Sequence, residues 1–249
     1  MQPMNLEGKK FLITGASSGM GRATAIYLST LGANLVITGR NFAELEFTRD
    51  QLEGKEHFII PADLTEPDIP HKLIADGIKA DGKKFSGMIH FAGGGKVVPL
   101  RMLVPKIVED TMQINYFVFI QLVREISSKY AMKTGSIIGV SSYAAMEGEA
   151  GLTAYCGAKA AMDASVRAIA CELASKNIRI NTIRPGIINT SGTAKYLSSM
   201  DQKQTEELIR KQRLGLGEPE DVAALCAFLL SDCGKFITGR NVYIDGGRF

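Results

Sequence analysis

The chain of 249 residues has few of the features that would place it in a membrane, in a disulfide scaffold or on nucleic acid. No apolar run approaches the roughly 18 residues needed to cross a bilayer, which excludes a transmembrane helix and predicts no membrane partner. The first ten residues, MQPMNLEGKK, hold no apolar stretch of the kind that directs secretion, so a cytoplasmic location is expected. The four cysteines, Cys156, Cys171, Cys226 and Cys233, are scattered and form no C-x-x-C pair. That argues against a zinc site and a disulfide framework, and for reduced thiols. His57, His71 and His90 lack metal-ligand spacing, so no metal is expected; only His90, at the end of an apolar run, stands near a candidate site. Lys and Arg number 29 against 26 Asp and Glu, and a net charge of +3 is too small to predict a nucleic-acid partner. No Pro- or Ser-rich linker, internal repeat or low-complexity tract divides the chain. With 45% hydrophobic and 22% charged residues it has a globular balance rather than a disordered one.

What the sequence does have is a regular alternation of short apolar runs and longer amphipathic ones. Residues 10–14, 34–38, 58–60, 87–91, 136–140, 178–183 and 241–244 read as strands. Helical patterns run over 20–31, 42–52, 109–132, 153–175 and 219–230, the last opened by Pro219 in its first turn. Strands that are apolar throughout belong to a parallel sheet covered on both faces. The expected fold is therefore α/β and a single domain over 1–249: a doubly wound (Rossmann) parallel seven-stranded sheet with helices on both faces. Ligands bind such sheets at the carboxyl ends of the strands.

Directly after the first strand comes Thr14-Gly15-Ala16-Ser17-Ser18-Gly19-Met20-Gly21. Three glycines between a strand and a helix let backbone N–H groups approach a pyrophosphate at the positive helix end; an ordinary tight turn needs no such trio. At the end of the second strand, where a carboxylate would hold a ribose 2′-hydroxyl, stand Gly39 and Arg40. A guanidinium forks onto a 2′-phosphate, so NADP(H) is preferred over NAD(H), although Ser18 puts no second basic residue in the turn.

Tyr155 and Lys159 are one helical turn apart, and Ser142 lies thirteen residues before the tyrosine, just past the fifth strand. A phenol with an ordinary pKa of ~10 is a poor acid at neutral pH. An ammonium ~4 Å away, at an effective dielectric of ~20, is worth ~4 kcal/mol and would bring it toward neutrality. Two rival motifs fail. Gly139-Val140-Ser141-Ser142-Tyr143 is not a nucleophile elbow, because Tyr143 stands where the final glycine belongs. Gly93-Gly94-Gly95-Lys96-Val97 lacks the leading glycine and the trailing Ser or Thr of a phosphate loop.

Thr14-Gly15-x-x-x-Gly19-x-Gly21, Asn115, Ser142, Tyr155-x-x-x-Lys159, Pro185-Gly186 and the C-terminal Gly239-Arg240-Asn241-Val242-Tyr243-Ile244-Asp245-Gly246-Gly247 occur in order over nearly the whole chain. Together they resemble the short-chain dehydrogenase/reductase family. The resemblance implies that Tyr155 protonates a carbonyl oxygen, that Ser142 orients it, and that Lys159 lowers the tyrosine pKa and holds the nicotinamide ribose. It implies that Asn115 binds a water relaying protons to Lys159. For the cofactor it implies Gly15, Ser17, Ser18, Gly19, Met20 and Gly21 at the pyrophosphate, Arg40 at the 2′-phosphate and Asp63 with Leu64 at the adenine. It also implies a close backbone approach at Ala92 and Gly93, and a nicotinamide held by Pro185, Gly186, Ile188 and Thr190.

One departure stands out: the family often has Asn-Asn-Ala-Gly where this chain has His90-Phe91-Ala92-Gly93. Losing the second asparagine removes an amide that would tie neighbouring strands, so a looser segment is expected there. Residues 191–213, with Tyr196, Leu197, Met200 and Leu208, correspond to a substrate lid. Among the branches, the beta-ketoacyl-acyl carrier protein reductases look nearest. Lys133 and Lys176 then take the places where that branch meets its acidic carrier, although solvated surface lysines are the preferred reading of both. The resemblance further implies a homotetramer, with Phe117, Phe119, Ile120 and Val123 as candidate contacts. The expected substrate is a ketone or secondary alcohol, small or carried as a thioester. A steroid, sugar or polyol dehydrogenase and a non-catalytic dinucleotide sensor stay open as alternatives.

Overall fold

The seven apolar runs pair into one parallel sheet. In the computed structural model, which describes residues 4–248, the strand order is β3-β2-β1-β4-β5-β6-β7. The strands are β1 Lys10–Thr14, β2 Asn34–Thr38, β3 His57–Ile59, β4 Phe85–His90, β5 Met132–Val140, β6 Ile178–Pro185 and β7 Asn241–Ile244. The order reverses between β1 and β4, and that reversal opens a crevice at their carboxyl ends.

Side-chain alternation assigns the two faces. Phe11 and Ile13 of β1 join a buried cluster with Leu35, Ile37, Ile89 and Ile138, whereas Leu12 joins the opposite cluster with Val36, Met88 and Ile137. The first face is covered by α1 Gly19–Thr30, α2 Phe42–Arg49 and α10 Pro219–Leu230. The second is covered by α3 Ile69–Lys79, α5 Val118–Ile126 and α7 Thr153–Leu173. At the carboxyl edge lie four more helices, α4 Pro105–Met112, α6 Ala144–Glu147, α8 Ser191–Leu197 and α9 Gln202–Arg210.

Three local features differ from the sequence expectation. Helix α3 has no counterpart in the periodicity reading. Asp68 at its start makes no capping bond, and Gly77 inside it weakens the helical signal. Packing demands the glycine, since a Cβ at Gly77 would come within 2.6 Å of the Phe85 ring. The helix expected over 109–132 is in fact α4, a π-helical turn over Gln113–Phe117, and α5, which ends at Ile126; β5 already begins at Met132. The π turn inserts an extra residue and leaves Asn115 fully buried. Finally, Lys133 and Lys176 lie at the amino ends of β5 and β6, where Gly135 pairs with Ile178. That is the edge opposite the crevice, so neither lysine flanks its mouth.

Candidate active site

The glycine turn closes tightly on itself. A Cβ at Gly21 would collide with the Gly15 carbonyl oxygen, and one at Gly15, whose φ is +69°, would lie 2.8 Å from the Ala92 nitrogen. The turn, the end of β2 and the loop after β4 therefore line one cleft of about 820 Å³. Its walls include Gly15, Ser17, Ser18, Gly19, Met20, Gly21, Arg40, Asp63, Leu64, Ala92, Gly93 and Thr190, all sequence candidates for holding a dinucleotide. Arg40 is exposed at one end, and a shallower hollow beside it is lined by Ser17, Asn41 and Phe42. Asp63 accepts hydrogen bonds from the Thr65 hydroxyl (2.7 Å) and N–H (3.0 Å). These bonds, with the Arg40 charge, hold its carboxyl below the usual range.

The second group of candidates gathers behind the cleft. Ser142 follows β5 and is buried; its Oγ accepts the Ala144 N–H at 3.2 Å, and its hydroxyl, facing the Tyr155 phenol, pulls the phenol pKa down. Lys159, one turn along α7, is buried with Nζ 5.6 Å from the Tyr155 ring and donating to the Val140 carbonyl at 2.7 Å. Two expectations change here. Burial raises the Tyr155 pKa above its ordinary value, the Ser142 bond only partly opposing this, and the lysine is not among the causes of the shift. Lys159 is itself pushed down to about 8 by burial, with Asp163 pulling the other way. Burial thus keeps the phenol protonated rather than bringing its pKa toward neutrality.

Asn115 is committed to backbone. Its Nδ2 donates to the carbonyls of Gly94 (2.7 Å) and Thr111 (2.8 Å), and its Oδ1 accepts the Gly94 N–H (3.0 Å). This side chain clamps the Gly93–Gly95 loop. The loop lies across the reactive pair, with the Cβ position of Gly95 only 2.8 Å from Tyr155. Ser142, Tyr155, Lys159, Pro185, Gly186 and Ile188 accordingly do not line the cleft. The Gly93–Gly95 loop stands between the cleft and the catalytic candidates.

The His90-Phe91 segment is not loose. The Ala92 N–H donates to Thr14 Oγ1 (3.2 Å), the Phe91 N–H donates to the Thr14 carbonyl (3.2 Å), and Thr14 Oγ1 lies 2.9 Å from His90 Nδ1. His90 is fully buried and stays neutral, its pKa pushed down to about 3 by burial and by the Lys159 charge. The threonine, not an asparagine, ties β1 to β4.

Two further residues have no sequence signal. Gln212, buried in a polar stretch, accepts the Ile187 N–H and donates to the carbonyls of Ile187 (3.2 Å) and Gly215 (2.6 Å). It pins the Pro185–Ile188 strand exit to the end of the lid segment. Asp163 is buried against Arg184 (2.7 Å) and Thr182 (2.6 Å), one turn beyond Lys159. On the substrate side, Tyr143, Ala144, Ile187 and Leu208 form a small buried cluster against which Tyr155, Tyr196, Leu197 and Met200 pack. Of the residues expected at a subunit contact, Phe119 and Val123 are buried under the sheet, and Phe117 alone is clearly exposed.

Residues 15–248 match a family model described as enoyl-(acyl carrier protein) reductase. A 3-oxoacyl-[acyl-carrier-protein] reductase of Rickettsia conorii is 30% identical, with 98% of each chain covered. A probable 2,4-dienoyl-CoA reductase of Bacillus subtilis is 31% identical over the same shares. Among solved structures, a 7 alpha-hydroxysteroid dehydrogenase complexed with NADH and 7-oxo glycochenodeoxycholic acid superposes with a TM-score of 0.92 at 28% identity, covering 99% of this chain and 96% of the other.

Proposed function

This chain belongs to the short-chain dehydrogenase/reductase family of oxidoreductases, and we propose that it uses NADP(H) to interconvert a ketone and a secondary alcohol, with a 3-oxoacyl thioester as the first candidate substrate. The observation that carries this reading is the meeting of Ser142, Tyr155 and Lys159 directly behind a glycine-lined cleft. The cleft fits a dinucleotide, because Gly15, Gly19 and Gly21 give it a lining of bare backbone at the amino end of α1. Arg40 supports a 2′-phosphate and hence NADP(H), while the steroid dehydrogenase structure holds NADH.

Bound NADPH supplies the hydride. Ser142 donates a hydrogen bond to the substrate oxygen and sets its direction. Tyr155, kept protonated by burial, delivers the proton to that oxygen. Lys159 stabilises the phenolate left behind. Asn115 acts earlier, by holding the Gly93–Gly95 loop that must shift for nicotinamide and tyrosine to meet. Gly186, Ile188 and Thr190, after β6, are assigned to the carboxamide end.

The apolar wall of Tyr143, Tyr196, Leu197 and Leu208 suits an acyl chain and equally a steroid, and the steroid dehydrogenase likeness favours the latter as a second reading over sugars and polyols. A homotetramer is proposed on the family resemblance and on the exposed Phe117, and a carrier-protein dock is left to the exposed lysines of α8 and α9, Lys195 and Lys203. Reduced cysteines support a cytoplasmic location. The test is a panel of ketones, 3-oxoacyl thioesters and oxosteroids with NADPH and NADH, followed by loss of reduced-nicotinamide absorbance. A dinucleotide sensor would bind NADPH and turn over none of them.

A further inference from the structure

Arg248 is the most conspicuous charged group outside the catalytic set. Its side chain is only 1% exposed. Nε donates to Glu147 at 2.9 Å, Nη1 donates to the Leu208 carbonyl at 3.3 Å, and the guanidinium lies 3.9 Å from the centre of the Tyr143 ring. Its Nη2 is 3.9 Å from Glu149 and has no hydrogen-bond partner among the described residues. One side chain thus touches three pieces of the substrate wall. Glu147 ends α6, Leu208 belongs to α9, and Tyr143 directly follows Ser142. Tyr143 and Leu208 are in the same small cluster as Tyr155.

We propose that Arg248 is a specificity-determining positioning residue, which fastens α9 and Tyr143 into one wall beside Tyr155 and so sets substrate affinity without touching the reacting atoms. Its charge is spent. One guanidinium faces two carboxylates, so it offers little to an anionic substrate, and the wall it holds is apolar and aromatic. The class of substrate selected is a carbonyl with neutral apolar flanks. The cofactor cleft shares none of these contacts.

This inference rests on the carbonyl-reductase reading, and its test separates the two. The probes are a neutral aliphatic ketone reduced by the wild type and the oxo acid of the same length. Arg248→Met is expected to raise KM for the neutral ketone by about tenfold, with kcat within about threefold and NADPH affinity unchanged. Arg248→Lys should recover part of the loss. Glu147→Gln, at a partly exposed position that spares folding, should shift KM the same way by a smaller factor. Limited proteolysis within 191–213 should speed up by a similar factor in Arg248→Met, and this readout needs no turnover. An unchanged KM and an unchanged cleavage rate would overturn the proposal. So would a KM change confined to the oxo acid, which would make the guanidinium a substrate receptor. If the wild type reduces no carbonyl yet the cleavage rates differ as expected, the fastening stands and the reductase reading fails.

Discussion

The cofactor half and the substrate half of this molecule are held together by different kinds of contact. From β1 to the loop after β4, what faces the cleft is bare backbone: the Gly15–Gly21 turn and the Ala92 and Gly94 amides, which the Thr14 and Asn115 side chains hold in place. Beyond β5 it is side chains reaching across sequence, with Arg248 on Glu147, Gln212 on Ile187 and Asp163 on Arg184. A backbone cradle has little freedom to vary, because the ligand meets amide groups at fixed spacing. A wall assembled from distant side chains can be rebuilt one contact at a time. One half therefore fixes the cofactor class, and the other is free to choose the substrate. Tyr155 and Lys159 stand at the seam.

Cutting at the seam gives the largest effect. Tyr155→Phe should lower turnover by about 10²–10⁴-fold while NADPH affinity stays at the wild-type value, measured by cofactor fluorescence. Full activity in that variant would remove the tyrosine from the mechanism. Within the cofactor half, Gly21→Ala forces a methyl group against the Gly15 carbonyl. Overpacking of that kind costs about 1–3 kcal/mol, so NADPH affinity should fall by about tenfold to a hundredfold, and a normal Kd would contradict the cradle.

The next effect follows from pH. Burial lowers Lys159 from 10.5 to about 8, so between those values the folded state binds fewer protons than the unfolded chain. The penalty for burying the ammonium is complete below about pH 8 and is relieved as pH rises through that window, which makes stability rise there. Activity has the opposite sign. Reduction uses the charged ammonium, so kcat/KM for reduction should fall by about tenfold per unit above pH 8, and a flat profile would count against Lys159. Smallest is Arg40→Ala, expected to cut the preference for NADPH over NADH by about tenfold; equal preference in the two proteins would detach the guanidinium from the 2′-phosphate.

The same division explains what was legible in the sequence. Strands and their parallel pairing are legible in apolar runs and the phosphate turn in its glycine spacing, which are local signals, whereas Asp63, Leu64 and Thr190 rest on the family resemblance. Helix α3 is hidden by Gly77, a residue demanded by packing against Phe85 rather than by propensity. The π turn around Asn115 leaves no mark on helical periodicity. The branch resemblance puts Lys133 and Lys176 at the mouth, yet strand direction puts them at the far edge. Arg248 and Gln212 act on partners 101 and 25 residues away, a relation no spacing rule encodes. The raised Tyr155 pKa depends on burial, which the Tyr-x-x-x-Lys spacing does not report.

Isotope tracing tests the central claim most directly. NADPH deuterated at its transferable position is mixed with a ketone that the protein reduces, and the alcohol is analysed by mass spectrometry. One deuterium on the carbinol carbon, appearing in step with cofactor oxidation and lost with Tyr155→Phe, is the predicted result. Alcohol formed without the label, or labelled alcohol formed at an undiminished rate by the phenylalanine variant, would contradict hydride delivery to a carbonyl protonated by Tyr155.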